Sequence, residues 1–218
     1  MARTITVKGI GKVSAKPDQV VLSMTLESKH KDYDKAMGMA ASHIQHLNET
    51  LYSIGFDKGS LKTTSFNVQT DYGRVKDRYD NYESVFRGYE VTHHLKLAFD
   101  FDMDRLSQAL AAIAGCLSRP QLSIAFTVKD ATAINEEMLR SATINAKRKA
   151  EILCEASGVT MGDLIAIDYN WGELDIYSHT RYVCCEEAIA PMAVGATIDI
   201  DPEDIDVSDT ATFVWEIK

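Results

Sequence analysis

Between residues 130 and 158, DATAINEEMLRSATINAKRKAEILCEASG, apolar side chains return at three- and four-residue steps, the spacing of one helical face. Ala131, Ile134, Met138, Ala142, Ala146, Ala150, Leu153 and Ala156 make that stripe. Asp130 stands where an N-cap belongs and Gly158 where a left-handed stop belongs. Such a helix would run roughly 40 Å, enough to cross a sheet. Three alanines four residues apart at its middle leave room for its backbone to approach whatever lies beneath. Elsewhere the period is two, which predicts strands. Val20, Leu22, Met24 and Leu26 alternate with Val21, Ser23, Thr25 and Glu27. Tyr89, Val91, His93, Leu95, Leu97 and Phe99 take alternate positions in a strand expected over 85–99. Leu122, Ile124, Phe126 and Val128 alternate likewise, and so, in a last strand near Thr210–Ile217, do Ala211, Phe213, Trp215 and Ile217. Shorter strands are expected over 61–70, with Phe66 and Val68, and near Leu164–Tyr169. Residues 4–13 alternate weakly and read as broken by Gly9 and Gly11. Two further helices are expected. One covers about 34–54 on Ala36, Ala40, Ile44, Leu47 and Leu51, with Gly55 stopping it. The other starts at Asp102 or Asp104 and runs through Leu106, Leu110 and Ile113 to Gly115, and Pro120 prevents its continuation.

Two stretches fall outside this patterning. Residues 73–84, GRVKDRYDNYES, have the polar, tyrosine-bearing composition of a long hairpin tip. Residues 171–206 hold Trp171, Tyr177, His179, Tyr182, Cys184, Cys185, Pro191 and the acidic run DIDPEDID. A loop of that length is functional or mobile, or conceals an element. The aromatic side chains Tyr79, Tyr82, Trp171, Tyr177 and Tyr182, with His179, are therefore the candidate binding residues.

Charge narrows the partners. A net charge of −9 over 218 residues disfavours nucleic acid and anionic membrane surfaces, both of which reward clustered Lys and Arg. No run of 18 apolar residues is present, so no membrane span is expected. MARTITVKGIG goes directly into alternation without the charged-then-apolar pattern of a secretory signal, which gives a cytoplasmic expectation. Composition is ordinary for a globular chain, with 45% hydrophobic and 25% charged residues.

Candidate chemistry is sparse. Cys154 lies beside the long stripe, where a buried thiol is the simple reading. Cys184 and Cys185 are adjacent and match neither a zinc knuckle nor a spaced disulfide framework. His43 flanks the stripe of the first helix and His46 sits away from it, so the two do not converge on a metal. His93 falls on the apolar face of its strand, where a core histidine bonded to a neighbour is the common outcome, although imidazole titrates near neutrality. Gly9-Ile-Gly11 is not followed by a helix and so is not a phosphate loop. No metal and no cofactor is expected.

The order of joints resembles the SIMPL-domain family. ITVKGIGKVSAKPDQVVLSMTLE at 5–27 is similar to that family's opening, a strand with a Gly-x-Gly break, then Pro-Asp, then an alternating strand. The likeness continues at Gly55, the Leu61–Thr64 strand entry, Gly88-Tyr89, Asp102 and Leu106, Phe126, the alanine-periodic helix ending Ala156-Ser-Gly158, Pro202 and the last strand. Each motif is backbone punctuation; their order over nearly the whole chain carries the resemblance. It implies an α+β fold, a mainly antiparallel β-sheet with two or three helices packed on it, in a single domain over 1–218 with excursions at about 73–84 and 171–206. It also implies a family without an established biochemical activity, whose members are often periplasmic and in some cases linked to stress defence. No catalytic residue is carried over.

Two functions remain. The first is a non-enzymatic binding or assembly module, whose partner is another protein or the chain itself, since exposed sheet edges offer strand pairing. The alternative is a metal- or thiol-dependent hydrolase or redox enzyme using His93, His179, Cys184, Cys185 and Glu186. It requires 171–206 to fold back onto the sheet and bring a base within hydrogen-bond reach of its partner.

Overall fold

The elements follow in the order β1 (Thr4–Ala15), β2 (Gln19–His30), α1 (Tyr33–Ser53), β3 (Leu61–Lys76), β4 (Tyr82–Asp100), α2 (Met103–Ala114), β5 (Gln121–Thr127), α3 (Ala131–Ala156), β6 (Met161–Asp168), β7 (Tyr177–Cys184) and β8 (Ile205–Ile217). The computed structural model describes residues 3–76, 81–116, 118, 120–169, 176–184 and 200–218. The chain divides into two compact units: residues 1–18, 127–179 and 202–218 in one, residues 19–126 and 180–201 in the other. The class is α+β, with antiparallel pairing of β1 with β8, β6 with β8, β2 with β4 and β3 with β4.

The first unit is a three-stranded sheet in the order β1-β8-β6, with α3 packed on it. Asp130 caps α3 by accepting from the Thr132 and Ala133 backbone N–H groups at 3.0 and 3.1 Å. Gly158, at φ 68°, follows its C-terminus in the left-handed region. The buried face is Ile134, Met138, Ala142, Ala146, Ala150 and Cys154, each four residues from the last. Rows of this spacing incline to the helix axis, so Ala131, Leu153 and Ala156, expected on the stripe, turn outward and are exposed. Under the alanines lie Gly9 and Gly11. A Cβ on Gly9 would meet the Ala142 carbonyl oxygen and come within 2.8 Å of the Ala146 Cβ; one on Gly11 would reach the Met138 carbonyl oxygen. The glycines therefore do not break β1, as the alternation had implied. They provide clearance for a helix on a strand that runs unbroken for 12 residues. α3 also binds the outer edge of β1: the Ile10 N–H donates to Asn145 Oδ1 at 3.1 Å, the Lys12 N–H to Ser141 Oγ at 3.3 Å, and Lys149 Nζ to the Lys8 carbonyl at 3.1 Å. Covering an edge with a helix is a standard guard against unwanted strand pairing.

In the second unit the sheet order is β3-β4-β2-β5-β7. Val20, Leu22, Met24, Leu26, Leu95, Leu97, Phe99, Ile124 and Phe126 meet Leu47 and Leu51 of α1 and Leu106, Leu110 and Ile113 of α2 in one core. Asp102 caps α2 by accepting from the Arg105 N–H at 3.0 Å. Gly55 stops α1 at φ 90°.

Both stretches that fell outside the patterning contain strand. Most of 73–84 is strand: β3 continues to Lys76 and β4 begins at Tyr82, paired from Tyr72↔Phe86 to Lys76↔Tyr82. Its side chains are mostly exposed, so no inside-outside alternation marked it. Within 171–206, residues 177–184 form β7, and β8 begins at Ile205, five residues before the expected Thr210. Ile205 and Val207 are buried with Ile134 and Ile176, which gives the end of the acidic run a buried strand face.

Candidate functional site

β4 is paired on both sides only as far as Tyr89, where β2 ends at His30. Beyond Gly88, β3 and β4 continue alone as a two-stranded arm. It exposes Tyr72, Val75, Tyr82, Val85 and Phe86, with Tyr82 the most open at 66%. Isolated two-stranded ribbons are marginal in water, and this one is held by cross-strand rings. Tyr72 meets Phe86 edge-on at 5.6 Å, Phe86 meets Tyr89 at 5.4 Å, and Tyr89 meets Tyr33 of α1 at 5.3 Å. The Lys76 ammonium lies 5.5 Å from the centre of the Tyr82 ring. The arm displays aromatic side chains to solvent.

At the root of the arm the register slips between Asp71 and Tyr72, leaving Arg87 without a partner on β3. Gly88 follows at φ 149°, and a Cβ there would lie 2.5 Å from the His30 carbonyl oxygen. A cavity of about 340 Å³ opens at this point, lined by Lys29, His30, Lys31, Asp71, Arg87, Gly88 and Tyr89. Lys29 donates to Glu90 at 2.7 Å. That bond, with the nearby carboxylates, holds the ammonium above its usual value, and the hydrogen bonds from Lys29 and Gln69 hold Glu90 below its own.

Three histidines of this unit lie against hydroxyls. His93 is buried, with Nε2 2.8 Å from Thr63 Oγ1 and its ring edge-on to Phe66 at 5.1 Å. Burial, and then neighbouring His94, keep the His93 imidazole below its ordinary value. His94 Nδ1 is 3.0 Å from Thr25 Oγ1, and His43 Nδ1 is 3.0 Å from the buried Ser28 Oγ. His46 is exposed.

Of the sequence candidates, Tyr82 lies on the arm. Tyr177 and Tyr182 lie on β7, half-buried and exposed respectively, and His179 on the same strand is exposed. Tyr79, Trp171, Cys185 and Glu186 lie outside the described residues. His93 on β4 and Cys184 on β7 are three strand positions apart in one sheet, about 14 Å at the usual strand spacing, so the sheet does not bring them together. Cys116 and Cys154 are free thiols, both buried. No group of three His, Cys, Asp or Glu side chains suited to a metal ion occurs among the described residues. Tyr72, Val75, Val85, Phe86 and Arg87 were missed as candidates.

A family model described as SIMPL, protein of unknown function (DUF541), matches residues 5–215. The chain belongs to the SIMPL family. Two relatives share this likeness, each named 26 kDa periplasmic immunogenic protein. One is from Brucella melitensis biotype 1, at 25% identity over 166 residues, and one from Brucella abortus strain S19, at 24%. The match takes in 75% of this SIMPL chain and 65% of each relative, so about a third of the relatives' length lies outside it. The family match covers β1 through Trp215 of β8. No helix of this SIMPL chain is long and apolar enough to cross a membrane among the described residues.

Proposed function

We propose that this chain is a non-enzymatic contact module that assembles with copies of itself through the β3–β4 arm. The observation that carries the reading is the arm's composition: five apolar or aromatic side chains exposed on a ribbon whose strands pair only with each other. Exposed apolar patches on otherwise polar surfaces mark interaction sites, and aromatic residues dominate interface energetics. A ribbon that is marginal alone gains stability by docking, and unpaired strand edges add backbone hydrogen bonds to the contact. The remaining candidates Tyr79, Trp171, Tyr177, His179 and Tyr182 are proposed as further contact residues of the same kind.

The test is sedimentation velocity across a concentration series, with the full chain and with a Tyr72→Ser/Phe86→Ser variant. The wild type is expected to form larger species as concentration rises and the variant to stay monomeric. A wild type that remains monomeric throughout overturns self-assembly. For compartment, the relatives' name suggests the periplasm; fractionation of the producing cells tests it.

A further inference from the structure

We infer that the cavity at the root of the arm binds a small oxyanion, a phosphate or phosphomonoester. The site is separate in its chemistry from the apolar contacts of the arm and stands whether or not the chain self-associates. Four features carry it.

The first is construction. A β-bulge re-aims the side chain of its extra residue, and here the extra residue is Arg87. Its guanidinium occupies the space where a side chain on buried Gly73 would sit, so Gly73 is what admits it. Gly88, at φ 149°, permits the close approach to the His30 carbonyl that brings the end of β2 to the bulge.

The second is charge. Lys29, Lys31 and Arg87 line one cavity in a chain of net charge −9. Two acids lie near: Glu90 is bonded to Lys29 at 2.7 Å, and Asp71 lines the cavity itself. No ion pair engages Lys31 or Arg87 among the described residues. Against Glu90 and Asp71 the three cations leave the cavity positive by one, with Lys31 and Arg87 left to meet an oxyanion.

The third is donor geometry. Arg presents a planar fork suited to two oxygens of one anion, and Lys a point charge. His30 Nδ1 accepts from the Asp32 N–H at 2.9 Å, which leaves its proton on Nε2 as a further donor at the cavity. The fourth is size. About 340 Å³ falls at the lower end of small-molecule sites, too small for a nucleic acid segment and sufficient for a phosphorylated metabolite.

The experiment is a titration of the ¹⁵N-labelled full chain with inorganic phosphate above neutral pH, at ionic strength held constant with sodium chloride. Amide signals of Gly73 and Gly88 are followed. Saturable shifts of both are expected. Arg87→Gln should weaken the affinity about tenfold, the usual scale for losing a charge-assisted hydrogen-bonded pair. Lys31→Gln should weaken it less, and Lys62→Gln, elsewhere on β3, should leave it unchanged. Arg87 is exposed, and an unaltered amide spectrum outside the cavity confirms that the variant is folded. Shifts that fail to saturate, an Arg87→Gln titration equal to wild type, or equal weakening by Lys62→Gln each overturn the site. Saturable binding lost with Arg87 supports it. A phosphomonoester that binds more tightly than inorganic phosphate identifies the organic ester as the preferred form.

Discussion

Gly9 and Gly11 show how much one hydrogen atom in place of a methyl group decides. Either residue carrying a Cβ would collide with a carbonyl oxygen of α3, and main-chain atoms in a helix cannot step aside singly. Gly9→Ala is expected to destabilise by about 2–3 kcal/mol, the scale of overpacking in a close-packed interior. Gly38, inside α1 with nothing within 4 Å of a Cβ, provides the contrast: Gly38→Ala is expected to stabilise by up to about 1 kcal/mol through helix propensity. Urea unfolding midpoints of the two variants check both signs. His93 provides a pH prediction. Its folded-state pKa is lowered from 6.5, first by burial and then by His94, so the neutral form is favoured by folding. The contribution is fully present above the unfolded value and is lost as pH falls through it towards the folded value. Stability should drop as pH falls below about 6.5, the unfolded value, and His93→Phe should flatten that part of the profile. An unchanged slope in the variant would assign the dependence to other groups.

At the scale of elements, α3 and β1 act as a pair. The alanine row at 142, 146 and 150 permits the approach, the glycines beneath provide the clearance, and Ser141, Asn145 and Lys149 bind the strand edge. Ala146 is fully buried, and Ala146→Leu should lift the helix off the strand at a cost of about 1–3 kcal/mol. Ile144, 69% exposed on the same helix, should accept lysine within about 0.5 kcal/mol. Thermal denaturation followed by circular dichroism separates the two outcomes. The helix itself was legible from Asp130 to Gly158, because capping and apolar period are local properties. Its partner was not. Gly-x-Gly in a weakly alternating strand has the same appearance whether it breaks the strand or clears space for a helix, and the helix that decides the matter lies some 130 residues away in the chain.

For the whole molecule, the chain passes between its two units at residues 18/19, 126/127, 179/180 and 201/202. We propose that this interleaving makes them unfold together as the single domain expected from the sequence. One calorimetric transition, with calorimetric and van't Hoff enthalpies equal, is the expected result; two transitions would separate the units. Self-assembly through the arm adds a concentration dependence to that transition, because association stabilises by mass action, and Tyr72→Ser/Phe86→Ser should remove it.

The sequence by itself determined the elements with a buried face: both shorter helices, α3, and the strands around Val20–Leu26, Tyr89–Phe99, Leu122–Phe126 and Ala211–Ile217. One-sided burial writes a period into neighbouring residues, and that period can be read without knowing what covers it. Tertiary structure alone decided the arm, because a ribbon exposed on both faces carries no such period. It alone showed the cavity at the arm's root, where Lys29–Lys31, Asp71 and Arg87–Tyr89 come from three strands and meet only through pairing register. A bulge of one residue re-aims Arg87, and nothing in the local sequence around it specifies where the opposite strand will slip.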